Sequence, residues 1–479
     1  MKKNILLLVA LLISSSLITA QGVGSQGTTD ARSMGMAKSF SSSFGLYAVG
    51  KNPAAVFQDS TSTVELILPL PILNLSVGVG SNFISIDDYN YYFGTKVTDA
   101  DGKTVGRTLT DTDKQNLKNI FKDGGTIYSD ISFQLIGIKI QPSTKFGAIS
   151  FSLTDRISST TTLPKNLINL GLDGNLPNQV YDFNDTKFQA WWLRKASFTY
   201  SRSLNLLPTL LKEFSIGASI NFVSGIFYIG VDHVNTQLVT GEGNIITGKG
   251  DFLAYSAFSD DFNVKYNFDD KPKKDFAFNP FPKSAGSGTG FDFGFRGKLQ
   301  NNISFAFSIT DIGSVEWNKN VAQFSSNAPI YLDDITDKDQ VDTLTSRLTG
   351  KNNGKYINSI NTDMATAIHF MIAWSNRESN LRSSGKLLAA LEYHQGMNEQ
   401  PGNSKTPRIA LGVDYSLTKV VGLRSGFSFG GFDKFNWGLG IGFDLGLLEM
   451  NLGTPDFQNV IMPNKAKRVT VAFDSRWRF

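Results

Sequence analysis

The sequence predicts an all-β fold: a transmembrane antiparallel β-barrel of about fourteen strands, with an N-terminal plug segment and partly helical outer loops. Three observations carry this. Segment after segment alternates apolar with small or polar residues, the period-two pattern of a strand with two different faces. Beyond its N-terminus the chain has no run of about eighteen apolar residues, so a spanning helix is excluded and a closed sheet is the remaining way to satisfy every backbone group in lipid. Connections are short at one end of the strands and long at the other, as in barrels with short periplasmic turns and long outer loops.

The N-terminus reads as a secretory signal peptide over residues 1–20. Lys2 and Lys3 form the charged region and residues 5–13 the apolar core, too short to span a membrane. Residues 14–20 lead to a cut after Ala20. Gln21, not Cys, then stands first, so lipoprotein anchoring is not indicated. Residues 21–60 form the plug segment and residues 61–479 the barrel. The 45 Gly suit a crowded lumen wall and the 37 Phe a lipid-facing band. With no Cys, disulfide staples and thiolate chemistry are excluded. Net charge is +4, from 46 basic and 42 acidic residues, too balanced for a nucleic-acid partner.

The first strand is expected over 62–86, kinked or divided at Pro69 and Pro71, because Pro cannot donate to a ladder. The others are expected at 126–141, 146–160, 187–203, 214–232, 288–299, 303–317, 363–376, 385–396, 408–417, 422–431, 434–445, 446–453 and 467–479. Phe291, Phe293 and Phe295 oppose Asp292, Gly294 and Arg296; Ile303, Phe305 and Phe307 oppose Ser304, Ala306 and Ser308. If the C-terminus is periplasmic, fourteen strands place the long inserts 87–125, 161–186, 233–287 and 318–362 all outside. An odd count breaks that parity; twelve and sixteen keep it. Residues 112–122 and 163–172 read as short amphipathic helices in the outer inserts. They either pack over the barrel mouth or offer an apolar ledge to a greasy ligand.

Chemistry has little foothold. His394 shares a strand face with Glu392, but a catalytic pair needs a serine beside His394 or His369. Gly426-Phe427-Ser428-Phe429-Gly430 matches GxSxG inside an alternating strand, where the required strand-to-helix elbow is missing. The acidic pairs Asp87-Asp88, Asp260-Asp261, Asp269-Asp270 and Asp333-Asp334 lack the spacing of a calcium loop. No catalytic residue, metal or cofactor is expected, and the chain reads as a non-enzyme.

The final strand, residues 468–479, sets Val469, Val471, Phe473, Trp477 and Phe479 against Arg468, Thr470, Asp474, Arg476 and Arg478. Phe473, Trp477 and the terminal Phe479 resemble the assembly signal that outer-membrane insertion machinery reads. At the other end, residues 30–57 are rich in small residues yet carry Met34, Met36, Phe40, Phe44, Leu46 and Tyr47, which suits inward folding as a plug. A periplasmic cap or first hairpin is the alternative.

Ala31-Arg32-Ser33-Met34-Gly35-Met36, followed by Asn52-Pro53-Ala54, resembles the N-terminus of FadL-like long-chain fatty acid transporters and their PorV-like relatives. The stretch from Leu163-Pro164-Lys165-Asn166-Leu167 through Gly174-Asn175 is similar to uncharacterised outer-membrane barrels with the same Asn-Pro-Ala start. Ala37-Lys38 departs from the pattern, where a second Gly pair is common. The resemblance implies a fourteen-stranded barrel in the bacterial outer membrane with a small-residue hatch. Met34, Gly35, Phe44, Asn52, Pro53 and Ala54 would lie at that hatch, beside the route of a hydrophobic small molecule. The purely structural reading is that Asn52-Pro53-Ala54 fixes the chain on its way into the first strand. The functional expectation is passive passage of long chain fatty acid-like molecules through the lumen. A PorV-like barrel that binds a secretion-system partner through its outer loops is the alternative.

The signal-peptide reading is checked on protein extracted from membranes: intact-mass measurement is expected to give a mature chain beginning at Gln21, and retention of residues 1–20 would refute it.

Overall fold

The computed structural model describes residues 30–58, 64–94, 96–98, 102–173, 176–266, 279, 281–333, 339–340, 354–376 and 384–479. The expected signal peptide, Gly174-Asn175 and the acidic pair Asp269-Asp270 lie outside the described residues.

Fourteen strands close into one antiparallel barrel. β1 has two pieces, Val64–Ile67 and Asn74–Ser81; β2 is Gly125–Ser143, β3 Gly147–Leu163, β4 Lys187–Ser203, β5 Leu211–Val234, β6 Gly286–Leu299 and β7 Ile303–Trp317. β8 also has two pieces, Ile360–Asp363 and Ala367–Ser375; β9 is Lys386–Gly396, β10 Arg408–Ser416, β11 Val421–Gly430, β12 Lys434–Asp444, β13 Leu448–Thr454 and β14 Arg468–Arg478. Each strand pairs with the next, and β14 returns to β1. At the closing seam Phe479 and Val64 exchange both backbone bonds, at 2.8 and 3.1 Å.

The break in β1 falls at Pro69 and Pro71, where the sequence requires it. Asn74 repairs the ladder there: its Oδ1 accepts the Ser475 N–H at 2.7 Å, and Ser475 Oγ donates to the Ile72 carbonyl at 2.7 Å. Leu70 projects outward from the break, 75% exposed.

The two faces separate as the alternation predicts. On β14, Val469 and Phe473 are exposed on the outside, while Thr470, Ala472, Asp474, Arg476 and Arg478 are buried inside. On β6, Phe291, Phe293 and Phe295 face out, and Asp292 is fully buried. An apolar exterior around a buried polar interior inverts the pattern of a water-soluble sheet, and it suits a sheet solvated by lipid.

The bounds of β4 and β7 coincide with the sequence reading, and all fourteen expected strands are present. The outer inserts hold strands that the sequence reading passed over: Val180–Asp182, Gln237–Thr240, Ile246–Phe258, Ala322–Leu332 and Lys355–Tyr356. Ile246–Phe258 pairs with the outer end of β5 and with Ala322–Leu332, extending one side of the wall beyond the strands' common height. Both expected outer helices form, as Asp111–Ile120 and Lys165–Asp173. Thr110 caps the first, and its backbone N–H bond holds the Asp113 carboxyl well below the usual carboxylate range. The apolar face of that helix is spent on packing. Leu117 and Phe121 are buried against Phe83, with Ile168 and Leu172 of the second helix packed beside them, so these side chains meet one another and not a ligand ledge.

The lipid-facing assignment is tested at Val413, 41% exposed near the middle of β10. Val413→Arg is expected to cost about 2–4 kcal/mol of vesicle-folded stability if that position lies near the bilayer midplane. Urea titration read by heat-modifiable gel mobility measures it, and an unchanged midpoint would place β10 outside the hydrocarbon.

Candidate functional site

Residues 30–58 thread the lumen and are almost entirely buried. The sequence builds this segment for close backbone approach. Its helix, Ala31–Gly35, is N-capped by Asp30, whose carboxylate accepts the Ser33 N–H at 2.9 Å. The helix rests on a row of facing glycines in four adjacent strands: Gly412 pairs with Gly426, Gly426 with Gly438, and Gly440 with Gly453. A Cβ on Gly440 would stand 3.0 Å from the Gly35 Cα, and one on Gly453 only 2.1 Å from the Ala31 carbonyl oxygen. A larger residue at Gly440 or Gly453, where the plug's backbone is the neighbour, pushes the plug off the wall.

Asn52-Pro53-Ala54 fastens the opposite side. Asn52 Oδ1 accepts the Ala54 N–H at 2.9 Å, capping the short turn Pro53–Ala55. Its amide donates to the carbonyls of Phe295 at 3.2 Å and Phe307 at 3.4 Å, on β6 and β7. Ser201 and Ser215 donate to the Ala54 carbonyl at 3.0 and 3.1 Å. Gly217 and Gly294, paired across β5 and β6, leave the notch that Pro53 and Asn52 fill.

Met34 is fully buried beside Ala472, and Gly35 meets Gly440. The Phe44 carbonyl accepts Arg476 Nη1 at 2.7 Å, and its ring lies 4.7 Å from the Arg296 guanidinium carbon. All six hatch residues singled out by sequence are therefore contacts between plug and wall.

Charge locks the plug as well. Arg32 donates to Glu449 at 2.5 Å and Asp414 at 3.3 Å. Arg476 bridges Glu65 at 2.9 Å and Glu449 at 2.8 Å, while Glu65 also takes Lys139 at 3.0 Å and the Leu46 N–H at 2.9 Å. Lys51 pairs with Asp30, and Lys38 with Asp433. Ala37 and Lys38 both hold positive φ, 54° and 70°. The backbone thus keeps the form a Gly pair would take, at about 1–2 kcal/mol per residue. Lys38 holds its place through Asp433 and through its carbonyl, which accepts Arg408 Nη2 at 2.9 Å.

None of these ion pairs was foreseen: Arg32–Glu449, Lys38–Asp433 and Arg476–Glu65 join residues hundreds of positions apart, and the shorter-range pairs form only once the strands pair and the plug is folded into the lumen. The available signal was the charged residues at lumen-facing positions of apolar-backed strands, such as Glu449, Asp474 and Arg476, which demand counterions inside.

On the outer side of the plug lies a chamber of about 120 Å³. Its floor is the plug itself, at Leu46, Tyr47, Val49, Gly50 and Lys51. Trp191, Leu193, Val223 and Met364 make an apolar wall and belong to the aromatic cluster around Tyr228 and Trp317. Beside it the lining turns polar, with Gln134, Thr154, Arg156 and Lys195; Arg156 is the cross-strand neighbour of Leu193, and Lys195 of Val223. Lys195 pairs with Asp311 at 2.7 Å, and Arg156 with Asp130 at 3.0 Å.

His369 and His394 face each other through their Nδ1 atoms at 2.9 Å, with Phe40 of the plug edge-on to His369. His369 Nε2 lies 3.4 Å from Thr310 Oγ1. Among the described residues neither ring bonds a serine. Glu392 instead accepts the Phe40 N–H at 2.8 Å and Ser39 Oγ at 3.0 Å, so this face holds the plug. Ser428 of the GxSxG string sits inside β11, accepting from Asn436 at 2.9 Å. Among the described residues no group of His, Asp and Glu could hold a metal ion.

No curated protein matches this chain. Three solved structures are similar to this chain. The toluene transporter TbuX of Ralstonia pickettii shares 9% identity over 95% of this chain and 99% of its own, with a TM-score of 0.43. The toluene transporter TodX of P. putida shares 12% over 95% and 99%, with a TM-score of 0.44. A Pseudomonas aeruginosa FadL homologue shares 12% over 95% and 97%, with a TM-score of 0.42. Residues 55–454 match the model of a family of unknown function, DUF5723. That match runs from the plug's last turn to the end of β13, and on it the chain belongs to the DUF5723 family.

Proposed function

We propose that this protein is a bacterial outer-membrane channel that passes hydrophobic small molecules by passive diffusion, with the N-terminal segment as its gate. The observation that carries the reading is that the chamber's floor and the plug are the same residues, Leu46 to Lys51. A molecule in the chamber therefore touches the element that must move for it to leave. The plug fills the lumen's cross-section at its own level, which argues against an open, water-filled pore.

The ligand class is long-chain fatty acid-like. The apolar wall of Trp191, Leu193, Val223 and Met364 suits a hydrocarbon, and Lys195 and Arg156 at its edge suit a carboxylate. Release follows when the plug lifts from its glycine row. Met34, Gly35 and Phe44 are then the contacts that part, while Asn52, Pro53 and Ala54 act as the fixed hinge on β4 to β7. The route needs no energy source: each step is partition into or out of an apolar site.

Phe473, Trp477 and Phe479 form the signal for the insertion machinery. The first two sit on the outer face of β14, and Phe479 is 54% exposed at its end.

A lock tests the gate. A Cβ on Gly412 would lie 3.0 Å from the Met36 Cβ, close enough for a disulfide after a small shift, and the chain has no other Cys. In liposomes the native protein is expected to take up labelled fatty acid faster than empty vesicles do. Oxidised M36C/G412C should cut that excess by about tenfold, equivalent to about 1.4 kcal/mol on the gating step, and reduction should restore it. Equal uptake with native and empty liposomes would sink the transport reading. Unchanged uptake by the locked variant would sink the gate alone. Deleting Phe479 is expected to lower the folded fraction in outer membranes, measured by heat-modifiable mobility, without changing synthesis.

A further inference from the structure

Two outer segments at the closing seam turn outward: residues 455–467 between β13 and β14, and residues 82–94 at the start of the β1–β2 connection, ahead of the helix Asp111–Ile120. Between β13 and β14 a short helix, Phe457–Ile461, lies on the barrel's outer face. Phe457 packs edge-on against Trp437 at 5.2 Å, and Gln458 Oε1 accepts the Trp437 backbone N–H at 2.9 Å. Trp437 is itself an outward residue, stacked on Phe427 at 5.9 Å. Beyond it Val460, Ile461 and Met462 are uncovered, at 66%, 57% and 48% exposure. Among the described residues nothing packs over them.

The first part of the connection from β1 to β2, residues 82–94, does the same on the other flank. Its helix Ile86–Tyr89 and the turn Asn90–Gly94 leave Ile86, Tyr89 and Phe93 exposed. The two connections are tied together, with the Ile86 N–H donating to the Ala466 carbonyl at 3.0 Å. An apolar groove runs without interruption from Val79, Ile127 and Val469 on the strands to Ile86 and Tyr89 in the connection.

We infer that these two segments, residues 82–94 and 455–467, form an interfacial anchor lying in the outer leaflet beside the β14–β1 seam, and that their occupant is lipid. Continuity carries the assignment. Val79, Ile127 and Val469 face hydrocarbon in a transmembrane barrel; Ile86 and Tyr89 extend that surface upward, and Phe457 on the outward Trp437 ties Val460, Ile461 and Met462 to the same outer face. A short amphipathic element laid in the interface buries its apolar side there and keeps its polar side in the headgroups. Lys465 and Lys467, exposed next to Met462, have the long stems that reach from such a depth to water. The seam is where an anchor has most effect, because its ladder is broken between Ile67 and Asn74.

Because the chain has no Cys, single cysteines report without background changes. Nitroxides are placed on I461C and F93C, on V413C as the lipid-belt reference and on K114C as the water reference. The full-length protein is folded into phosphatidylcholine–phosphatidylglycerol vesicles, and collision rates with oxygen and with a soluble nickel chelate are compared. The oxygen-to-nickel ratio at 461 and 93 is expected to shift away from the Lys114 value towards that at Val413. A ratio like that at Lys114 would put the connections in water and end the proposal. Spin–spin broadening between molecules would put a second copy of the chain on the patch and also end it. Gel mobility confirms folding of each variant, and V460C and Y89C replace any that fails.

Discussion

Lipid offers a backbone no hydrogen-bond partner, and everything else in this molecule answers to that constraint. A sheet in hydrocarbon must close, so β14 has to find β1. Closing the sheet sorts its side chains: one set meets lipid, the other faces a lumen that must be filled or wetted. Phe291, Phe293 and Phe295 are on one side of that division, and Asp292 and Arg296 on the other. The plug fills the lumen, and the glycine row, the notch and the buried ions are the means by which it fits.

The fit relies on two kinds of contact with different physics. Glycine rows bring backbone within contact of backbone, so the plug is held by shape at Gly440, Gly453, Gly217 and Gly294. Ion pairs such as Arg32 with Glu449 add register. Burying such a pair gains little net stability, but losing one partner leaves an uncompensated charge worth about 3–5 kcal/mol. The plug is therefore fixed in position more than it is fixed in strength. The chamber is the space left where the plug's loop at Val49 and Gly50 falls short of the wall at Lys195.

How much of this was legible in the sequence follows the range of each interaction. Strands with one lipid face carry their own period, which is why β4 and β7 are bounded correctly from residues alone. The plug was legible because Met34, Met36 and Phe40 make no sense in a solvated tail. Ile246–Phe258 was missed because its residues lack clean alternation and its partner, Ala322–Leu332, lies across another strand pair. The outer helices were found, yet whether Leu117 and Phe121 face a ligand or Phe83 is a question of tertiary packing. The ion network was out of reach for the same reason: Arg32 and Glu449 stand 417 residues apart.

The closing seam and the plug share side chains. Arg476 and Asp474 belong to the last strand and Glu65 to the first, and all three bind the plug, at Phe44, Ala31 and Leu46. Zipping the ring and seating the plug thus stabilise each other. A barrel whose seam is ajar also leaves its stopper loose, so permeability itself reports misassembly. β14 completes the seat of the segment that precedes β1, so the strand that closes the ring also holds its stopper.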